Sequence, residues 1–242
     1  MINIALLIPT TSRGRSYASV KNTPFFSTLL PSLISNLTKT EIEKYHFGFF
    51  LGYGDEDQFY CHPVIQSQIR SEFQFQTQHI NCKLIDIVCP LSAHNPVKVW
   101  NELFKVSYNL NYDYFYQLGD DIQFLSPNWV EEFVTLLGDN IGVVGPNDTN
   151  PVKPMNLMTQ SFTNRKHMEI FDYYYPHAFT NWHSDNWIQQ VYGDRAKVLE
   201  HIKIVNTGGS PRYHIDNKSS ILSNEVSIGK DLITQYCNKQ LI

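Results

Sequence analysis

Short apolar runs alternate along the chain with segments whose apolar positions recur every three or four residues. This order of elements builds an α/β fold, a mostly parallel sheet with helices on both faces. The first run, residues 2–8, stops at Pro9 and opens into the polar stretch 10–22, and a helix is expected from near Pro24 towards Leu37. A second unit places a strand at 47–51, a Gly- and Asp-rich turn at 52–57, and a helix containing Phe59, Ile65 and Ile69. A third has a strand at 84–88, a break at Cys89-Pro90, and a helix from about Pro96 in which Val97, Trp100, Phe104 and Ser107 share one face, with Asn101 beside it. The fourth strand, 114–118, closes on Gly119-Asp120-Asp121-Ile122. Ser126-Pro127 is then expected to cap and begin a helix carrying Trp129, Phe133 and Leu137.

After residues 141–145 the rhythm stops. Residues 146–154 hold three prolines and read as loop, residues 155–192 are rich in His, Trp, Tyr and Asn, and residues 217–242 read as a terminal helical region. One domain over 1–242 is expected, with a nucleotide-binding half at 1–145 and a substrate-shaping half at 146–242. At 242 residues and 42% hydrophobic content the chain can bury a core, and a formal charge of -4 argues against nucleic acid as partner. Cys61, Cys82, Cys89 and Cys237 have no metal-type spacing and read as free thiols. The N-terminus lacks a basic leader region, and no stretch reaches the roughly 18 apolar residues of a membrane span, so a cytoplasmic location is expected.

In open parallel sheets ligands collect at the carboxyl ends of strands, so the loops at Thr10, Tyr53, Pro90 and Gly119 should converge on one crevice. They bring hydroxyls with Arg13 and Arg15, then Asp55 and Asp57, then Asp120 and Asp121. Two adjacent carboxylates at a strand end repel each other, and a hard divalent cation, Mn2+ or Mg2+, is the usual compensation. The alternative is a solvated turn before Ile122.

Ile4 to Thr11, Asn101-Glu102-Leu103-Phe104 in a helix, and Asp113 to Ile122 together resemble the donor domain of a GT-A fold glycosyltransferase. The resemblance implies a metal-dependent enzyme of the hexosyltransferase type that moves a sugar from a nucleotide-sugar donor, a UDP-sugar favoured, to a hydroxyl of a carbohydrate or glycan acceptor. It implies that Asp121 coordinates the metal while Asp120 reaches ribose or a metal-bound water, although Gly119 stands where the strict acidic motif has its first Asp. By the same likeness Pro9, Thr10, Thr11 and Arg13 wrap the nucleoside, Asp55 or Asp57 bonds the base or ribose, and Asn101 belongs to the donor set. A third metal ligand would come from His201, His214 or neither.

The stretch from Leu157 to Ile188 resembles the acceptor half of such enzymes, which implies acceptor contacts from Gln160, Arg165, His167 and Trp182 and a catalytic base at Asp185. Inversion at the anomeric carbon follows if Asp185 is that base. The same carboxylate, or Ser184, also suits an ordinary helix N-cap before Trp187, Ile188 and Val191. Trp182, Trp187, Tyr173, Tyr174 and Tyr175 suit either a sugar platform or a core. His167, His177 and His183 read equally as ligands or as hydrogen-bonded structural residues. Two other functions fit parts of the pattern: a nucleotidyltransferase that builds the sugar nucleotide, and a carbohydrate-binding protein that kept the fold without turnover. The Gly-Asp-Asp string also resembles the metal motif of viral RNA polymerases, against which the negative charge and short chain speak.

Overall fold

Alternate residues of the first strand feed two separate cores, which is why the whole run is apolar. Ile4, Leu6 and Ile8 enter one core, Ala5 and Leu7 the other, and all five are fully buried. The computed structural model describes residues 1–90, 95–151, 157–209, 212 and 215–240. In chain order, β1 (Ile2–Pro9) leads through a π-helical turn into α1 (Leu30–Ser35) and α2 (Lys39–Lys44). Then come β2 (Tyr45–Gly54), α3 (Pro63–Thr77), β3 (Cys82–Cys89), α4 (Pro96–Asn109) and β4 (Tyr114–Gln117). Beyond these lie β5 (Ile122–Phe124), α5 (Trp129–Leu137), β6 (Val143–Asp148), β7 (Ser161–Asn164), α6 (Arg165–Phe171), α7 (Ser184–Tyr192), β8 (Ala196–Asn206) and α8 (Ser219–Lys239).

The strands make one eight-stranded sheet in the order β3-β2-β1-β4-β7-β6-β8-β5. It is parallel from β3 to β4, as expected, and mixed beyond, because β7 runs antiparallel to both β4 and β6, and β5 antiparallel to β8. The stretch expected to be loop from residue 146 is strand as far as Asp148. β6 pairs with β8 through a register shift between Pro146 and Asn147, and a bulge is where a sheet tolerates a proline that has no N–H to give.

The start of α5 also differs from expectation. Ser126 does not cap it: the helix begins at Trp129 after Asn128, whose φ of 62° is left-handed. Its first N–H groups are accepted by a residue from another helix, Glu41 Oε1, at 2.8 Å from Val130 N and 3.1 Å from Glu131 N. Glu41 Oε2 meanwhile accepts from Thr38 N at 2.8 Å in a capping box, so one fully buried carboxylate serves the N-termini of both α2 and α5. Ser126 instead ties the chain to β8, its Oγ donating to the His201 carbonyl at 3.0 Å and accepting from Lys203 N at 2.9 Å.

These connections bring distant loops to one end of the sheet. Thr10 N donates to the Gly52 carbonyl at 2.8 Å, Leu118 N to the Leu7 carbonyl at 3.1 Å, and Thr207 N, just past β8, to the Asp121 carbonyl at 3.0 Å. Among the described residues, no helix is long and apolar enough to cross a membrane. Replacing Glu41 by Ala leaves two helix starts without their acceptor. Chemical denaturation should show a loss of about 2–3 kcal/mol, and a loss below about 0.5 kcal/mol would show that water replaces the carboxylate.

Candidate functional site

Pro9 at the end of β1, Gly54 at the end of β2, and Gly119 to Asp121 after β4 line a cavity of about 1260 Å³, which α4, the residues just before β7, α7 and the chain after β8 enclose from the other sides. This is the crevice that parallel βα units create at the carboxyl ends of their strands. Its floor is the acidic pair. Asp120 is 1% exposed and both its oxygens are engaged: Thr10 Oγ1 donates to Oδ2 at 2.6 Å, Arg212 Nη1 donates to Oδ2 at 2.9 Å, and Arg212 Nη2 donates to Oδ1. The same Nη2 lies 3.3 Å from Asp121 Oδ2, and Nη1 also donates to the Thr11 carbonyl at 3.1 Å.

Two carboxylates and one guanidinium leave one surplus negative charge in a sheltered site. Burial, followed by the charge of Asp120, lifts the Asp121 carboxyl above the usual range, while Arg212 opposes the rise. For Arg212 burial works against the charge, yet Asp120 first and Asp121 after it hold the guanidinium more firmly protonated than usual. Gly208 permits this packing, because a Cβ there would run into the Asp121 carboxylate.

Asp57 organises the first loop. It accepts from Ser12 N and Ser12 Oγ, each at 2.7 Å, from Thr11 Oγ1 at 3.0 Å and from Tyr60 N at 3.1 Å, so its oxygens hold the loop that borders the cavity. Thr10, Thr11 and Arg13 line that cavity, Arg13 at its exposed rim. Asp55 is exposed and does not line it. Asn101 does not line it either, for a definite reason. Its Oδ1 accepts from Tyr174 N at 3.0 Å and Tyr175 N at 2.9 Å, and its Nδ2 donates to the Tyr175 carbonyl at 2.8 Å, so the amide is spent on the backbone of the other half.

Another part of the lining comes from residues between β6 and β7, among them Asn150, Thr159 and Gln160, and from the start of α7. Asp185 lies in the first turn of α7 and borders the cavity, yet it is not the cap. His183 occupies the cap position with a φ of 71°, no side chain caps the helix, and the Ser184 hydroxyl donates to the Asn181 carbonyl at 2.7 Å. Burial, and then the charge of Asp148, pushes the Asp185 carboxyl up to about 7, against the pull of a helix N-terminus. Asp148 is 3% exposed and accepts from Thr159 Oγ1 at 2.8 Å and Asn150 N at 2.9 Å. Gln160 lines the cavity and accepts from Gly119 N at 2.9 Å, and Trp182 lines it with 45% of its surface exposed.

Arg165 and His167, expected among acceptor contacts, lie away from the cavity. The Arg165 guanidinium donates to the Tyr108 and Tyr112 carbonyls and stacks 3.9 Å from the Tyr108 ring. His167 is buried between the Tyr192 hydroxyl at 2.8 Å and the Tyr174 carbonyl at 2.9 Å, where burial lowers its pKa to about 4 and keeps the ring neutral. Trp187, Tyr174 and Tyr175 are core residues with no exposed surface. His201 sits 3.6 Å from Glu132 on the outer surface, and His214 lies outside the described residues. Two residues that matter here carried no sequence signal: Arg212, brought in by the pairing of β8 with β5, and Asp148, in a stretch that reads as loop.

The donor set is compatible with a divalent cation. Among the described residues no three His, Cys, Asp or Glu side chains gather around a metal position; a hard ion such as Mg2+ held through one or two carboxylates commonly completes its shell with water and a bound anion. The surplus negative charge beside Asp121 is the feature that such an ion would neutralise.

No protein-family model and no curated protein matches this sequence. Solved structures match it in fold. The structure of S. aureus TarS 1-349 aligns over 86% of this chain and 60% of its own length, at 12% identity and a TM-score of 0.56. The same protein in complex with UDP-GlcNAc aligns over 95% of this chain and 66% of its own, at 11% identity and a TM-score of 0.57. The mannosyltransferase PcManGT from Pyrobaculum calidifontis, in complex with GDP-Man and Mn2+, covers 85% of this chain and 58% of its own, at 10% identity and a TM-score of 0.55. The chain therefore spans about 60% of the length of the first of these. At such identities the likeness shows the fold alone: an α/β chain with the GT-A architecture of these structures.

Proposed function

We propose that the protein is a glycosyltransferase that moves a sugar from a nucleotide diphosphate sugar, a UDP-sugar favoured, to a hydroxyl of a carbohydrate acceptor, with inversion at the anomeric carbon. The observation that carries this reading is a single cavity with the Asp120–Asp121 pair on its floor and Asp185, its carboxyl raised to about 7, on the wall that α7 contributes. The 1–145 half would hold the donor and the 146–242 half would shape the acceptor side. The loop from Pro9 to Arg13, braced by Asp57, borders the nucleoside. Asp121, with Asp120 behind it, would hold Mn2+ or Mg2+, whose contribution when bound is to stabilise negative charge on the departing diphosphate. Trp182 offers an exposed ring against which the apolar face of a sugar packs.

Asp185 acts as general base, taking the proton of the acceptor hydroxyl as that oxygen attacks. A carboxylate tuned to about 7 is a far better base near neutral pH than an ordinary aspartate, and burial supplies the tuning. The bound proton must leave first, so kcat/KM should rise with pH through about 7. A profile flat from pH 5 to 9 would remove Asp185 from that role. The Asp185→Asn variant should keep nucleotide binding and lose transfer by roughly 10²- to 10⁴-fold.

The tuning has a consequence for stability. Between pH about 4 and about 7 the folded protein holds a proton on Asp185 that the unfolded chain has released, so stability falls as pH rises through that window. Asp185→Asn should therefore melt at a higher temperature than the parent at pH 8, with the gap closing near pH 4. An unchanged gap across that range would mean that the carboxyl is not raised. Asp121→Ala should fold, lose transfer, and lose the Mn2+-dependent part of the thermal stabilisation that UDP or GDP confers. Full activity in this variant would refute the assigned role of the pair.

A further inference from the structure

A donor site explains the acidic pair but not the arginine seated on it. The Arg212 side chain is only 14% exposed, and its planar fork engages Asp120 at both oxygens, Asp121 at 3.3 Å and the Thr11 carbonyl at 3.1 Å. The contacts therefore join the first loop to the end of β4 across the cavity floor. The guanidinium stands 3.3 Å from Oδ2 of Asp121, the carboxylate that a divalent cation would use. In a sheltered, low-dielectric site two cations on one carboxylate repel each other strongly. A diphosphate reverses the balance, because a guanidinium pairs bidentately with phosphate as readily as with carboxylate.

Resting on the donor-site reading above, we propose that Arg212 is an exchangeable internal counter-cation. In the donor-free protein it occupies the acidic pair and keeps free metal off Asp121, and it turns to the diphosphate when metal and nucleotide arrive together. The site then takes up metal as a metal–nucleotide complex instead of binding the ion beforehand. The size of the effect follows from occupancy: an arginine seated about nine-tenths of the time weakens donor-free metal binding about tenfold.

The test is a Mn2+ titration of the full chain followed by electron paramagnetic resonance, run without nucleotide and then with saturating UDP or GDP. The parent protein should bind Mn2+ weakly alone and more tightly with nucleotide. Arg212→Gln should bind Mn2+ about tenfold more tightly than the parent when donor-free, and no more tightly once nucleotide is present. Because Gln leaves the buried Asp120 without a countercharge, Arg212→Lys is made in parallel. It keeps the charge but loses the fork, and should show the same donor-free tightening in smaller degree. Equal tightening with and without nucleotide would mean that Arg212 contributes bulk charge only, which overturns the exchange. No tightening in either variant, with nucleotide-dependent Mn2+ binding intact in the parent, overturns the exchange and leaves the donor site standing. No Mn2+ binding in any of the three proteins, even with nucleotide, overturns the metal-holding role of Asp121 and the exchange with it.

Discussion

Bringing two like charges together where a buried strand ends is unfavourable, and much of the surrounding structure answers that one problem. Asp120 is shut away from water, so its charge must be met by donors within reach: a hydroxyl from the loop after β1 and a guanidinium from the chain beyond β8. Those two donors come from opposite ends of the sequence. Satisfying the carboxylate thereby draws the first loop and the last part of the sheet onto the same floor. The shape of the cavity is in this sense a by-product of charge compensation.

Negative charge is distributed along the cavity in two centres with different solutions. On the floor an arginine absorbs most of it. On the α7 side burial and the charge of the buried Asp148 both act on Asp185, and the carboxyl gives way by holding its proton to higher pH. One centre therefore suits an anionic ligand with a cation and the other suits proton transfer, the two tasks that the proposed displacement at a sugar carbon would need.

The order of elements through the fourth strand, the parallel half of the sheet and the loops after the first, second and fourth strands that border the cavity were legible in the sequence because each depends on local patterns: apolar runs, helical periodicity and Pro or Gly breaks; most of the loop after Pro90 lies outside the described residues. Asp120, Asp121 and Asp185 were legible as candidates because they stand where such patterns end. What escaped depends on partners far along the chain. Asn101 looks like a site residue on a helix face, yet its amide is satisfied by Tyr174 and Tyr175, more than seventy positions away. Arg165 and His167 are likewise polar side chains used to close backbone and core. Arg212 follows a strand whose pairing with β5 no periodicity reveals, and Asp148 sits past a proline that a bulge accommodates.

The Asn101 clamp carries one more implication. A side chain of α4 grips the main chain of Tyr174 and Tyr175 with three hydrogen bonds, so the two portions of the molecule share a fixed frame beneath the cavity. Trp182, Asn186 and Leu222 belong to the cavity lining beyond that anchor. If the proposed transferase reading holds, altering these three changes the lining without touching the clamp, so selectivity for an acceptor can drift while the frame that carries the reactive groups is inherited unchanged.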